Sequence, residues 1–109
     1  MIEAVFTIDV FGDTMGFDIH GHAGYAHRGQ DIICASVSST TQMALFAIVK
    51  EYEKEIKYEF TDQRIMLYLR QYRKYGDVRV FMLNALRSYV EGVQKQYPSN
   101  ISIQYEMSL

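Results

Sequence analysis

Twice along the 109 residues the apolar period switches from two to about three and a half, and this restricts the layers the chain can build. Ile2, Ala4, Phe6, Ile8 and Val10 fall on one face of an extended segment, with Glu3, Thr7 and Asp9 on the other. Gly12-Asp13 is turn material, and Met15, Phe17 and Ile19 then alternate with Gly16, Asp18 and His20. Together these make a hairpin with one core-facing side. After a glycine-bearing stretch over 21–30, Ile33, Val37, Thr40, Ala44, Ile48 and Tyr52 recur at steps of three and four, predicting a helix over about 31–54. Its many Ala and Ser residues let it lie close to a sheet. The cycle then repeats. Segments 57–60 and 64–70 form a second hairpin around Thr61-Asp62-Gln63, and Gly76-Asp77 caps a helix striped by Val80, Leu83, Leu86, Val90, Val93 and Tyr97. Pro98 stops it, and Ile101, Ile103 and Tyr105 alternate as a last strand. The order β-β-α-β-β-α-β, with no linker, predicts one α+β domain over 1–109. Both helices are expected on one side of a mostly antiparallel sheet.

Composition narrows the function classes. Apolar residues make up 49% of the chain, enough for a packed core, and the net charge of −2 disfavours a general nucleic-acid binder. Tyr68, Arg70, Tyr72, Arg73, Lys74 and Tyr75 interleave aromatic and basic groups, but a solvated strand end or subunit contact is the simpler reading. A single cysteine forms no internal disulfide, which fits a reducing compartment. The first residues lack the basic region and cleavage site of a signal peptide, and no apolar run approaches the roughly 20 residues of a membrane span. The expectation is a cytoplasmic protein without a membrane segment.

The chemistry concentrates in residues 20–38, which hold all three histidines and the only cysteine. With Asp31 as N-cap, Cys34 is the third residue of the helix, where unpaired N–H groups and the positive dipole end stabilise a thiolate. The same N–H groups are placed to receive the oxygen of a tetrahedral intermediate. His22, just past the second strand, has the reach of a general base. Asp31 has two readings, the helix cap or a group orienting His22. Ser38 lies one turn beyond Cys34, either tuning the thiol or simply small for packing. The plain reading of Cys34 is a small buried hydrophobe, and of His20 and His27 solvated histidines. A zinc set of His20, His22, His27 and Cys34 is the sharper rival, but its spacing matches no usual pattern and there is no Cys-x-x-Cys, so no metal is expected.

Gly21-His22-Ala23-Gly24-Tyr25-Ala26, then Gly29, then Asp31-Ile32-Ile33-Cys34-Ala35 and Val37-Ser38, resembles the signature of the bacterial ribosomal-processing cysteine protease family, Prp. The likeness is dense and ordered over these residues, and the rest of the chain agrees only in length and element order. The resemblance implies a small α+β homodimer that removes the N-terminal extension of bacterial large-subunit ribosomal protein twenty-seven. It implies Cys34 as nucleophile, His22 as base, Asp31 and Ser38 as supporting residues, and a substrate loop carrying Ala23, Gly24, Tyr25 and Gly29 beside an apolar cleft. It implies no cofactor, and no role for His20 or for His27-Arg28. The rival reading is a non-enzymatic ribosome-assembly or peptide-binding module of the same fold.

Overall fold

The computed structural model describes residues 1–21, 28–71 and 76–108, with the backbone alone for 28–31. The expected order is present: β1 Ile2–Ile8, β2 Thr14–His20, α1 Arg28–Tyr52, β3 Ile56–Phe60, β4 Arg64–Leu69, α2 Val78–Gln96 and β5 Ile101–Met107. A short 3₁₀ turn, Glu53–Glu55, joins α1 to β3. The strands form one sheet in the order β3-β4-β2-β1-β5. Every neighbouring pair is antiparallel except β1 with β5, which run parallel.

Strand register explains the core. Tyr105, Phe6, Phe17, Leu67 and Tyr58 stand in one row across all five strands. Ile103, Ala4, Ile19, Ile65 and Phe60 form the next. At the centre of the sheet these side chains are sealed, with Phe6, Phe17, Ile19 and Leu67 fully buried. Both helices cover this face. α1 brings Ile33, Val37, Ala44, Leu45 and Ile48, and α2 brings Val80, Leu83, Leu86 and Val90, into one continuous cluster. The other face carries Glu3, Asp18, His20, Glu59 and Arg64 in an ionic network. The two-layer expectation therefore holds.

Element ends depart from the sequence reading where side chains intervene. Val10 was expected on β1, yet the strand stops at Ile8 and Val10 is exposed. Asp9 is the reason: its Oδ1 accepts from Phe11 N and Asp13 N, both at 2.9 Å, folding the chain into the turn two residues early. α2 follows the expectation. Asp77 caps it by accepting from Arg79 N, and Tyr97 N donates to Val93 O before Pro98. Asn84 ties α2 to the sheet, accepting from Thr14 N and Thr14 Oγ1 at 2.8 and 2.7 Å.

Arg79 escaped the sequence reading altogether. It is buried at the start of α2, where Nε and Nη2 reach both oxygens of Asp77 and Nη2 also donates to Gln71 O. Nη1 lies 3.1 Å from Glu55 Oε2 as an ion pair, and the guanidinium sits 5.0 Å from the Tyr52 ring centroid. The Asp77 hydrogen bonds hold its pKa above the ordinary arginine value. One side chain thus locks the end of α1, the 3₁₀ turn and the first turn of α2. Arg79→Ala leaves the buried Asp77 carboxylate without its cation, and a loss of about 3 kcal/mol is expected from urea unfolding.

α1 also corrects an expectation about the membrane. Ile32–Glu55 is long and apolar enough, by length and composition, to cross one. Its apolar residues are interrupted by uncharged Ser, Thr and Gln, so no single run reveals this. Its inner face, with Ile33, Val37, Ala44, Leu45 and Ile48, belongs to the core.

Candidate active site

The start of α1 differs from the expected one. The helix begins at Arg28, so Asp31 is its fourth residue and not its cap, and Gly29 is helical and not part of a loop. Nothing in Arg28-Gly29-Gln30 forbids this: none is proline, and Arg and Gln are good helix formers. Asp31 still stands in the opening turns, where a carboxylate complements the helix dipole. Cys34 becomes the seventh residue. Its own N–H lies within the hydrogen-bonded part of the helix, and the unpaired N–H groups belong to residues 28–31. The dipole effect fades within the first turn, so the thiol loses most of the activation expected from the helix end. A helical side chain leans back toward the N-terminus, which tilts Cys34 over the turn before it.

Cys34 is partly exposed and packs its inner side against the core. Ser38 stands one turn beyond on the same flank, where its Oγ accepts from Gln42 Nε2 at 2.8 Å. Cys34, Ser38 and Gln42 thus line one side of α1 at steps of four. The opposite flank faces α2, where Ser36 Oγ and Tyr89 OH share a hydrogen bond. Between the helices on that side runs a groove of about 480 Å³, lined by residues such as Ile32, Ile33, Tyr89, Gly92 and Val93. Helical spacing turns Cys34 away from this groove. His22, Ala23, Gly24, Tyr25 and His27 lie outside the described residues, as does the apolar cleft expected beside them.

His20 is placed clearly. Its Nε2 is 2.7 Å from Glu3 Oε2, and its Nδ1 is 3.9 Å from Asp18 Oδ1. Asp18 also binds Arg64, through Nε at 2.8 Å and Nη2 at 2.5 Å, and this hydrogen bonding chiefly holds the Arg64 pKa above its ordinary value. Arg64 reaches Glu59 at 3.6 Å as well. The whole network lies on the face of the sheet away from α1. His20 is therefore separated by the sheet from Cys34, and the four-residue zinc set loses that member. Among the described residues, no three His, Cys, Asp or Glu side chains form a metal-holding group.

A model of the family described as Cysteine protease Prp matches residues 1–102. The chain belongs to the Prp family of cysteine proteases. Solved structures agree in fold. SMU.848 from Streptococcus mutans aligns with a TM-score of 0.81 at 20% identity, covering 99% of this chain and 96% of that one. The essential ribosomal processing protease Prp from S. aureus, in complex with a substrate peptide, aligns with a TM-score of 0.81 at 19% identity, covering 97% of this chain and all of that one. The same S. aureus Prp with a covalently linked product peptide gives 0.78 at 20% identity. No curated protein matches the chain in sequence. Membership of Prp makes this chain a cysteine protease.

Proposed function

We propose that the protein is a cysteine endopeptidase that removes the N-terminal extension of bacterial large-subunit ribosomal protein twenty-seven, with Cys34 as nucleophile and His22 as base. The observation that carries the assignment is simple: a cysteine protease needs a thiol, and this chain has one cysteine. The chemistry follows from the pair. His22 takes the Cys34 proton, and the thiolate attacks the scissile carbonyl. The imidazolium then protonates the leaving amine, giving an acyl-enzyme thioester. Water, deprotonated by the same imidazole, resolves the thioester and restores the thiol. The helix end contributes less to the thiolate than its expected position promised, so the imidazolium carries most of that stabilisation. Oxyanion donors come from the unpaired N–H groups of residues 28–31, over which the thiol tilts. Asp31 and Ser38 support this site, and Ala23, Gly24, Tyr25 and Gly29 border the substrate. No cofactor takes part. A cytoplasmic enzyme meets its ribosomal substrate in the reducing compartment that its single thiol requires.

Incubating the purified, reduced protein with the extended ribosomal protein and weighing the products by mass spectrometry tests the proposal. One cut that removes the extension is the expected result. An intact substrate beside folded enzyme would favour the binding-module reading.

We further propose that the enzyme is a homodimer through the solvent face of α1. From Ile32 to Val49 the helix carries no charged residue, yet Ile32, Met43 and Phe46 are exposed at 73%, 68% and 55%. Ala35 and Ser39 lie between them on the same face, small enough for a second helix to approach closely. A second copy of this chain offers the matching uncharged surface. Light scattering is expected to give the mass of a dimer, and Met43→Glu that of a monomer. A monomeric wild type would rule the contact out.

A further inference from the structure

We infer that β3 is a self-pairing edge: two copies of this chain join antiparallel along Ile56–Phe60, about a two-fold axis at Tyr58, and merge their sheets. This rests on the reading of the enzyme as a homodimer and names what sets its register. β3 lies at one end of the sheet, and among the described residues it pairs with β4 alone. Thr61 N donates to Arg64 O and Arg70 N to Glu55 O, both at 2.9 Å. The hydrogen-bonded pairs of this antiparallel hairpin therefore fall on Glu55, Lys57, Glu59 and Thr61. The N–H and C=O groups of Tyr58 and Phe60, between them, point away from β4 along the edge.

Edge strands are commonly blunted by proline, by bulges or by lysines that repel a second copy. β3, Ile56-Lys57-Tyr58-Glu59-Phe60, carries no proline and one charge of each sign. Centred on Tyr58, an antiparallel copy sets Lys57 against Glu59 and Glu59 against Lys57, on the face that bears Asp18 and Arg64. On the helix side it sets Ile56 against Phe60 and Tyr58 against Tyr58. Moving the axis by one residue would bring Lys57 against Lys57, or Glu59 against Glu59. Charge thus selects one register, and the partner it selects is a second copy. The apolar side agrees. Tyr58 and Phe60 are exposed although their neighbours on β4, Leu67 and Ile65, are buried. Phe46 of α1, also exposed, holds its ring centroid 5.5 Å from that of Phe60. The edge is therefore continuous with the uncharged face of α1, and the two form one surface.

Charge reversal tests the register while sparing the core. Lys57→Glu and Glu59→Lys should each raise the dimer dissociation constant about tenfold in analytical ultracentrifugation, because each two-fold contact then holds two like-charge pairs. Glu59→Lys also gives up the 3.6 Å approach of Arg64, which keeps Asp18 as its partner. Mixed in equal amounts, the two variants should associate with about wild-type affinity as a heterodimer, since each supplies the charge that the other lacks. Tyr58→Pro removes an N–H that β4 does not use and should give a folded monomer. In the wild type, the amide hydrogens of Tyr58 and Phe60 should exchange slowly with solvent above the dissociation constant and quickly below it. A dimeric Tyr58→Pro, fast exchange of these amides in the wild-type dimer, or a mixture that associates no better than its components overturns the inference and leaves the edge to some other strand. The contact through α1 survives that result if Met43→Glu is a monomer. A monomeric wild type overturns both readings. Should Tyr58→Pro fail to fold, the mixing experiment decides.

Discussion

Cys34→Ala is expected to abolish cleavage, lowering turnover by at least about 10⁴-fold, while leaving the melting temperature within a few degrees of wild type. The two halves of this expectation have separate causes. Covalent catalysis has no substitute nucleophile here, since the chain holds no second thiol. Stability is spared because Cys34 is only partly buried, on the flank of a long helix, and alanine is a better helix former than cysteine. The truncation removes one sulfur from the edge of the core, a small loss beside that of a central residue. Mass spectrometry of the digested ribosomal substrate and thermal unfolding of the same sample measure both halves. A variant that cuts at the wild-type rate would remove Cys34 from the mechanism. One that unfolds would return the cysteine to a packing role.

Phe17→Ala has the opposite signature, a large loss of stability with chemistry impaired only through unfolding. Phe17 is fully buried on β2, flanked by Phe6 on β1 and Leu67 on β4 in the row beneath the helices. Removing the ring deletes its transfer energy and leaves a cavity that neighbours on both strands cannot collapse to fill. The expected cost is about 3–5 kcal/mol. Small domains are stable by only about 5–15 kcal/mol, so the variant should lie close to the unfolding threshold. Urea denaturation would show the midpoint falling while the slope stays the same. A cost under about 1 kcal/mol would mean that this row is not the centre of the core.

The layer architecture was legible because hydrophobic period is a local property that burial reads directly. Phe6 and Phe17 face inward by alternation, and Leu83, Leu86 and Val90 by helical spacing. What escaped was decided by single side chains acting on the backbone or by partners distant in sequence. Asp9 shortened β1 by accepting two N–H groups, an effect no apolar count contains. Asp31 was read as a cap because acidic residues favour that place, yet they favour the opening turns equally, and Arg28 starts the helix three residues sooner. Arg79 carries no sequence signal of its role, since its partners Glu55 and Gln71 lie many residues away. The site followed the same division. Cys34 and Ser38 do share a flank, as their spacing of four requires. That His20 is walled off from Cys34 depends on which face of the sheet the helices cover, and residue spacing alone carries no such information.

The parallel pairing of β1 with β5 has a consequence for the order in which the sheet can close. Ile2 meets Ile101, and Ile8 meets Met107, so β1 gains this neighbour only across a separation of about a hundred residues. Closing so large a loop is entropically costly and tends to be slow. Until it closes, Met1 lacks the anchor that Asn100 provides through Ile2, and the backbone against which Gly21 rests is loose. The rest of the sheet, β3-β4-β2-β1, is joined by antiparallel pairs and can form before β5 joins it.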